Sequence, residues 1–199
     1  MNIWFATNNT HKKTELDAIL NVKLKIPPEE GFSFEPDETG SSFSENAMIK
    51  AGELHKLTGG NEPVIADDSG LCVDALDGRP GVLSARYGME NGQKLSSAQR
   101  NIMLLDELAD NPKRSARFVC AMVLLFNSDR FFIVQETLEG EIVKKSGIKG
   151  EGGFGYDPIF WIPSLGRTLA ELSLEEKNTL SHRGKAGKHI ANIMKNLIL

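Results

Sequence analysis

The spacing of apolar and polar residues along the chain changes period several times, and each change predicts an element. Ile3 to Ala6 form a short apolar run that stops at the polar cluster Thr7 to Thr10, before the helix-spaced Leu16, Ile19 and Leu20. That is strand, loop, helix. Pro27, Pro28 and the acidic stretch up to Gly40 read as a connection with little regular structure. A second helix is marked by the capping-box spacing of Ser42 and Glu45 and by the stripe Phe43, Ala47, Ala51 and Leu54, and Gly59-Gly60 closes it. Val64 to Ala66 read as a buried strand ending at Asp67-Asp68-Ser69-Gly70, and Asp77 to Gly81 as a loop. Ala98, Ile102, Leu105 and Leu108 mark a third helix that stops before Pro112.

Two β-rich runs, Ala116 to Phe126 and Arg130 to Leu138, flank Asn127-Ser128-Asp129 and predict a hairpin. An antiparallel pair argues against a purely parallel sheet. After the glycine-rich Gly147 to Gly155, Pro158 to Ile162 are strand-like. Two helices are then expected, one from Ser173 boxed with Glu176 and one carrying Ala186, Ile190, Ile193 and Leu197. No internal repeat or low-complexity linker interrupts residues 1–199. The fold class expected is one α/β domain with a mixed central sheet and flanking helices, in two lobes.

Composition narrows the function classes. With 199 residues, 40% hydrophobic and 25% charged, the chain resembles an ordinary globular protein rather than a disordered or fibrous one. A formal charge of −4 argues against a protein that coats a nucleic-acid polymer, but leaves room for a small anion held by a few lysines and a metal. Cys72 and Cys120 lie in apolar stretches and read as buried free thiols of a reducing compartment. No run reaches bilayer length and no basic leader precedes an apolar core, so a cytoplasmic location and no membrane partner are expected.

Several segments have the residue types that chemistry needs. In Thr7-Asn8-Asn9-Thr10-His11-Lys12, between strand and helix, free N–H groups and the positive end of the helix dipole favour an anion. Lys12 and Lys13 are badly placed there unless something negative binds; the alternative is that Thr10 caps the helix and the lysines bend into water. Asp67 and Asp68 are neighbours on a strand, so they point to opposite faces, and spacing does not choose between them; a solvated turn is the alternative. Glu38 is a hard-oxygen candidate beside one of them, or simply exposed. On the second helix Asn46, Lys50 and Glu53 share a face, either solvated with a Lys50–Glu53 contact or aimed at a phosphate.

Gly152-Gly153-Phe154-Gly155-Tyr156-Asp157-Pro158 puts two aromatic rings in a flexible loop, where they could stack on a base or fill the core. Ser181-His182-Arg183-Gly184 sits between two helical patterns, and Lys177 is either a phosphate contact or a surface lysine. The chain has no G-x-x-x-x-G-K-[ST], H-E-x-x-H or G-x-S-x-G, and no zinc-finger spacing, so P-loop, zincin and α/β-hydrolase readings lose their support.

Five segments, TNNTHKKTE (7 to 15), ETGSSFSENAMIKA (38 to 51), ADDSGLCVDALDGRPGVLSARY (66 to 87), GGFGYDPIF (152 to 160) and EEKNTLSHRG (175 to 184), resemble in this order the Ham1/RdgB family of inosine triphosphate pyrophosphatases. The resemblance runs almost end to end. It implies two lobes around a nucleotide cleft, a homodimer, Mg2+ dependence, and hydrolysis of ITP, dITP and XTP between the α and β phosphates. It allots the triphosphate to Thr7, Asn8, Asn9, Thr10, His11 and Lys12, the metal to Glu38 and Asp68, and proton acceptance to Asp68. Ser69 and Lys177 would contact substrate, Phe154, Gly155, Tyr156, Asp157, His182 and Arg183 would form the base and sugar pocket, and Lys50 would reach phosphate. One departure stands out: the family often has glycine where Asn8 stands, and asparagine is among the residues that tolerate a positive φ. Rival readings are a Maf-type pyrophosphatase on pyrimidine or modified nucleotides and a non-catalytic nucleotide sensor; the sensor would need neither Glu38 nor Asp68.

Overall fold

The computed structural model describes residues 2–89, 92–150 and 152–197, so Met1 of the N-terminal run and Glu151 of the glycine-rich run lie outside the described residues. Six strands form one mixed sheet in the hydrogen-bonded order β1-β2-β3-β4-β5-β6. They are β1 (Trp4–Phe5), β2 (Val64–Val73), β3 (Ser115–Asn127), β4 (Arg130–Ile142), β5 (Phe160–Ile162) and β6 (Arg167–Thr168). β1 runs parallel to β2, with Trp4 opposite Val64 and Phe5 opposite Ile65, and it is buried on both faces as a parallel strand requires. β5 runs antiparallel to β4 and to β6. The expected α/β class with a mixed sheet is what the chain forms.

The helices are α1 (Thr10–Leu20), α2 (Phe43–Leu57), α3 (Ser97–Leu108), α4 (Leu174–Leu180) and α5 (His182–Leu197). Their ends follow local side-chain chemistry. Ser42 and Glu45 form the expected capping box, Gly59 and Gly60 take positive φ beyond the last turn of α2, and Ser96 with Gln99 makes a second box at α3. Ser173 and Glu176 exchange bonds at α4, and the Ser181 hydroxyl accepts the Gly184 N–H at 3.0 Å, so His182 and Arg183 begin α5.

The chain divides into two units. The first comprises the described residues of Met1–Ser69, Cys120–Glu136 and Ser181–Leu199. Its core has two clusters. Ile65, Cys120, Met122 and Leu124 pack with Leu16 of α1 and Ala186 and Ile190 of α5; Val64, Ala66, Val123 and Leu125 pack with Ala47, Ala51 and Leu54 of α2. Odd positions of β2 therefore face α1 and α5, and even positions face α2. The second unit, Gly70–Val119 and Thr137–Leu180, has its own core of Leu71, Leu104, Leu105, Leu108, Phe118, Ile159 and Phe160 among others.

Four expectations need correction. β2 does not end at Asp67 but continues to Val73, because cationic side chains compensate the charges of Asp67 and Asp68 inside the strand. The strand near residue 160 starts at Phe160, since Asp157–Ile159 form a 3-10 turn with Pro158 in its first positions. The buried stripe of α3 is Asn101, Leu104, Leu105 and Leu108, and Ile102 is 42% exposed. Cys120 is buried as expected, but Cys72 is only half-buried.

Candidate active site

The alternation of β2 splits the two aspartates of the first unit. Asp67 follows Ile65 onto the α1/α5 face, and Asp68 follows Ala66 onto the α2 face. Asp68, 6% exposed, accepts from Lys50 Nζ at 3.1 Å and from Asn46 Nδ2 at 3.3 Å. Lys50 Nζ also lies 2.9 Å from Glu38 Oε1. The two proposed metal-ligating carboxylates thus meet on one ammonium group. The solvated-face reading of α2 fails: Asn46 and Lys50 are buried, because their face packs over Asp68.

Burial raises the Asp68 carboxyl above its ordinary value, and the Glu38 charge adds to this against Lys50 and Lys12. Lys50 moves up as well: burial alone would lower it, but Asp68, Asp67 and Glu38 outweigh that. A carboxylate made more basic and held at a fixed point by an ammonium and an amide is equipped to accept a proton.

On the other face Asp67, 1% exposed, takes Lys12 Nζ at 3.0 Å and Arg183 Nε and Nη2 at 3.2 and 3.1 Å. Burial alone would raise Asp67, yet Lys12, Arg183 and Lys50 hold it well below the usual carboxylate range. Lys12 is pulled below its ordinary value, chiefly by burial and against the Asp67 charge. The Cys120 thiol, buried beside Asp67, is pushed up to about 12, first by burial and then by that charge.

The loop before α1 is organised by Asn9 rather than Thr10. Asn9 Oδ1 accepts the N–H groups of His11 and Lys12 at 2.9 and 3.2 Å, and its own N–H donates to Thr7 Oγ1 at 3.1 Å. Asn8 does not take a positive φ; its side-chain amide donates to the Phe34 carbonyl at 2.6 Å and fastens the loop to the acidic connection. Thr10 opens the helix, and the His11 side chain is exposed. The lysines do not bend into water: Lys12 pairs with Asp67, and Lys13 with Asp17 at 2.7 Å.

In the second unit the glycine-rich loop is held by a buried ion pair. Asp157 Oδ2 accepts from Lys177 Nζ at 2.8 Å and from the Phe154 N–H at 2.8 Å, and the same ammonium sits 4.6 Å from the centre of the Phe154 ring. Lys177 is 4% exposed, so the surface-lysine reading is wrong; the acid at 157 draws it inward. The Gly155 carbonyl accepts from Asn101 Nδ2 at 3.1 Å. Tyr156 is buried with its hydroxyl on the Ser84 carbonyl at 2.9 Å, so it fills the core while Phe154 stays partly exposed. Beside Phe154 lies a cavity of about 500 Å³, bordered also by Ala98, Asn101, Ile102 and Ile148, a size in the range of small-ligand pockets.

A sequence model of the Ham1 family matches residues 3–193. The chain belongs to the Ham1 family. It is 48% identical over 196 residues to a protein of Treponema denticola named dITP/XTP pyrophosphatase, covering 98% of this chain and 99% of that protein. It also superposes on the solved Ham1 protein of Coxiella burnetii with a TM-score of 0.87 at 39% identity, covering 98% and 99% of the two chains. The Ham1 protein of Staphylococcus aureus gives 0.85 at 38% identity, with 99% and 100% covered.

Of the residues the family resemblance allots, the first unit brings together Lys12, Glu38, Lys50, Asp68, Ser69 and Arg183 around β2, and the second brings together Phe154, Asp157 and Lys177. His182 is buried in the first turn of α5. Asn46, named with Lys50 on one face of α2, joins the first network. Two further polar residues belong to these networks without having been singled out. Glu15 left no sequence signal, lying between Thr14 and Leu16 on an ordinary helix. Asn101 could have been found, because it stands where the Leu104, Leu105, Leu108 spacing calls for an apolar residue.

Proposed function

We propose that this Ham1-family chain is a nucleoside triphosphate pyrophosphatase that hydrolyses ITP, dITP and XTP to the monophosphate and pyrophosphate. The observation that carries the reading is the sharing of Lys50 Nζ by Glu38 and Asp68, with the neighbouring Asp67 of the same strand holding Lys12. The name of the Treponema denticola relative supports the choice of substrate.

Two hard carboxylate donors meeting at one positive centre suit Mg2+, which takes one or two carboxylates and completes its shell with water and phosphate oxygens. Glu38 and Asp68 would hold it; when bound, it supplies positive charge to phosphoryl oxygens. The chain's own groups do the rest. Lys12 and the positive end of the α1 dipole attract the polyphosphate. Asp68, held in place by Lys50 and Asn46, accepts a proton from the water aligned on the α-phosphorus, opposite the departing pyrophosphate. Lys50 keeps Asp68 and Glu38 in register and offsets their mutual repulsion.

The base is assigned to the Phe154 loop, where the ring and the nearby cavity offer a stacking surface. A site that donates to a 6-oxo group is left with opposed donors by the 6-amino group of adenine, so ATP is expected to be a poor substrate. A homodimer in the cytoplasm is part of the same proposal; among the described residues no helix is long and apolar enough to cross a membrane.

The test is a panel of dITP, ITP, XTP, GTP, ATP, dTTP and UTP with Mg2+, with both products identified. The proposal expects pyrophosphate and monophosphate from the first three at a kcat/KM at least tenfold above the others. Preference for dTTP or UTP would favour a Maf-type activity. Binding without any pyrophosphate release would make the chain a sensor.

A further inference from the structure

Glu38 sits in a stretch without regular structure, residues 32–40, whereas Asp68 is fixed inside β2. Both belong to the first unit, and their separation depends on what fastens that stretch to it. Lys50 is one fastening. Asn46, fully buried near the start of α2, is another. Its Oδ1 accepts the Gly40 N–H at 2.8 Å and its Nδ2 donates to Asp68 Oδ2 at 3.3 Å. These partners fix which way the amide points, since only its oxygen can accept an N–H and only its nitrogen can donate to a carboxylate. Gly40 is two residues from Glu38, a reach of at most about 7 Å. Between them the Thr39 N–H donates to the Asp37 carbonyl at 2.9 Å and closes a tight turn around Glu38. Glu45, next to Asn46, accepts the N–H groups of Ser41 and Ser42 at 2.7 and 3.1 Å, so two consecutive side chains of α2 lay residues 40–42 along the helix. The approach is close: a Cβ on Gly40 would stand 2.7 Å from both Asn46 Oδ1 and Glu45 Cβ.

We propose that Asn46 is a positioning residue whose amide, held between the Gly40 N–H and Asp68, sets how far Glu38 stands from Asp68 before a divalent cation arrives, an inference that rests on the pyrophosphatase reading above. Gly40 is the other half of this fastening, because only a residue without a side chain lets the loop lie against the amide. Lys50 and Asn46 hold the two carboxylates in different ways. Lys50 holds them by charge, the same attraction by which they would hold a cation, so its grip is weakened by any cation that joins the pair. The Asn46 amide is neutral and directional, and its bond to the Gly40 backbone does not involve either carboxylate. Asn46 therefore preserves the spacing of the pair when the ammonium is drawn aside.

The experiment titrates Mn2+ alone, a hard divalent cation that like Mg2+ prefers oxygen ligands, into the metal-free full chain and reads free Mn2+ by electron paramagnetic resonance. The Mg2+ concentration for half-maximal ITP hydrolysis is measured alongside. Wild type is compared with Asn46→Leu, which keeps the volume and loses both bonds, with Gly40→Ala, which leaves Asn46 in place and pushes the loop off it, and with Leu54→Ala. Leu54 is buried on the core face of the same helix, so its truncation loosens α2 without touching a carboxylate contact. Asn46→Leu and Gly40→Ala are each expected to weaken Mn2+ binding at least tenfold and to raise the Mg2+ half-saturation by a similar factor. Leu54→Ala is expected to stay within twofold of wild type in both, and inosine monophosphate, titrated without metal, to bind all the proteins within twofold. Unchanged Mn2+ affinity in Asn46→Leu, an equal loss in Leu54→Ala, or an equal loss of monophosphate binding would overturn the proposal. So would a wild type that cleaves ITP yet binds no Mn2+ by itself, since the pair is set before substrate arrives. If Asn46→Leu does not fold, Gly40→Ala carries the comparison with the same deciding outcomes. Wild-type protein that binds Mn2+ but releases no pyrophosphate from ITP would instead sink the functional reading on which the inference stands.

Discussion

Lys50 Nζ lies 3.1 Å from Asp68 Oδ1 on the α2 face of β2, and its second carboxylate contact is Glu38 at 2.9 Å. Removing that ammonium leaves Asp68 desolvated and beside a like charge. Lys50→Met is expected to lower kcat by about 10²-fold, the scale seen when one preorganised charge donor is lost. It should also destabilise the fold by about 3–5 kcal/mol, as when one partner of a buried pair is deleted. Steady-state kinetics and urea unfolding check the two effects.

Asp67 gives a pH dependence whose sign is fixed. Its folded carboxyl sits well below the ordinary aspartate value because Lys12 and Arg183 overcome the cost of burial. The unfolded chain therefore binds a proton first as pH falls. The stabilisation is fully present above the unfolded value of about 4 and is lost progressively below it. Asp67→Asn should be much less stable than wild type at pH 7, and the gap should narrow as pH drops below about 4. Urea unfolding of both proteins across pH 3–7 measures it; a gap that widens toward acid would contradict the assignment.

Gly153 has φ +72°, and a Cβ there would overlap Asp157 Oδ2, the atom that holds both Phe154 N–H and Lys177. Gly153→Ala is expected to displace that carboxylate and raise KM for ITP about tenfold, close to the loss of one charge-assisted hydrogen bond. Far-UV circular dichroism should stay unchanged, since the loop contributes no regular helix or strand at that residue.

The packing of α1 on α5 depends on Gly187, where a Cβ would come within 2.8 Å of Ile19 Cγ2 and 3.2 Å of Leu16 Cδ1. Leu16 is fully buried and has no room to yield. Alanine gains about 1 kcal/mol of helix propensity but overpacks the interface by about 1–3 kcal/mol. A Tm lowered by about 2–4 °C is expected in a thermal melt, the shift that ~1 kcal/mol produces in a chain of this size.

The two thiols should differ in reactivity. Cys72 is half-buried, whereas Cys120 is buried with its thiol held neutral up to about 12. Titration of native protein with a disulfide reagent at pH 8 is expected to modify Cys72 and to reach Cys120 only after unfolding.

How much of this was legible in the sequence depended on whether the signal was local. Ser42 with Glu45 and Ser173 with Glu176 announced their helices because a capping box is built within four residues. Period alone gave the mixed sheet its hairpin and its buried β1. The end of β2 was misjudged because Asp-Asp-Ser-Gly has turn composition, and only distant cations, Lys12, Lys50 and Arg183, make those carboxylates tolerable inside a strand. The same long-range pairing drew Lys50 and Lys177 out of solvent. Asp67 and Asp68 could not be told apart by spacing, and their difference came from which helices cover each face of β2.

If the cluster around Asp68 directs water at the α-phosphorus of a purine nucleoside triphosphate, the oxygen of that water ends up on the monophosphate. Hydrolysis of ITP in 18O-labelled water, with the products resolved by mass spectrometry, reads this out. One 18O atom is expected in the inosine monophosphate and none in the pyrophosphate. Label in the pyrophosphate, or in orthophosphate released alongside a nucleoside diphosphate, would place the attack on a different phosphorus and remove Asp68 from the role given to it.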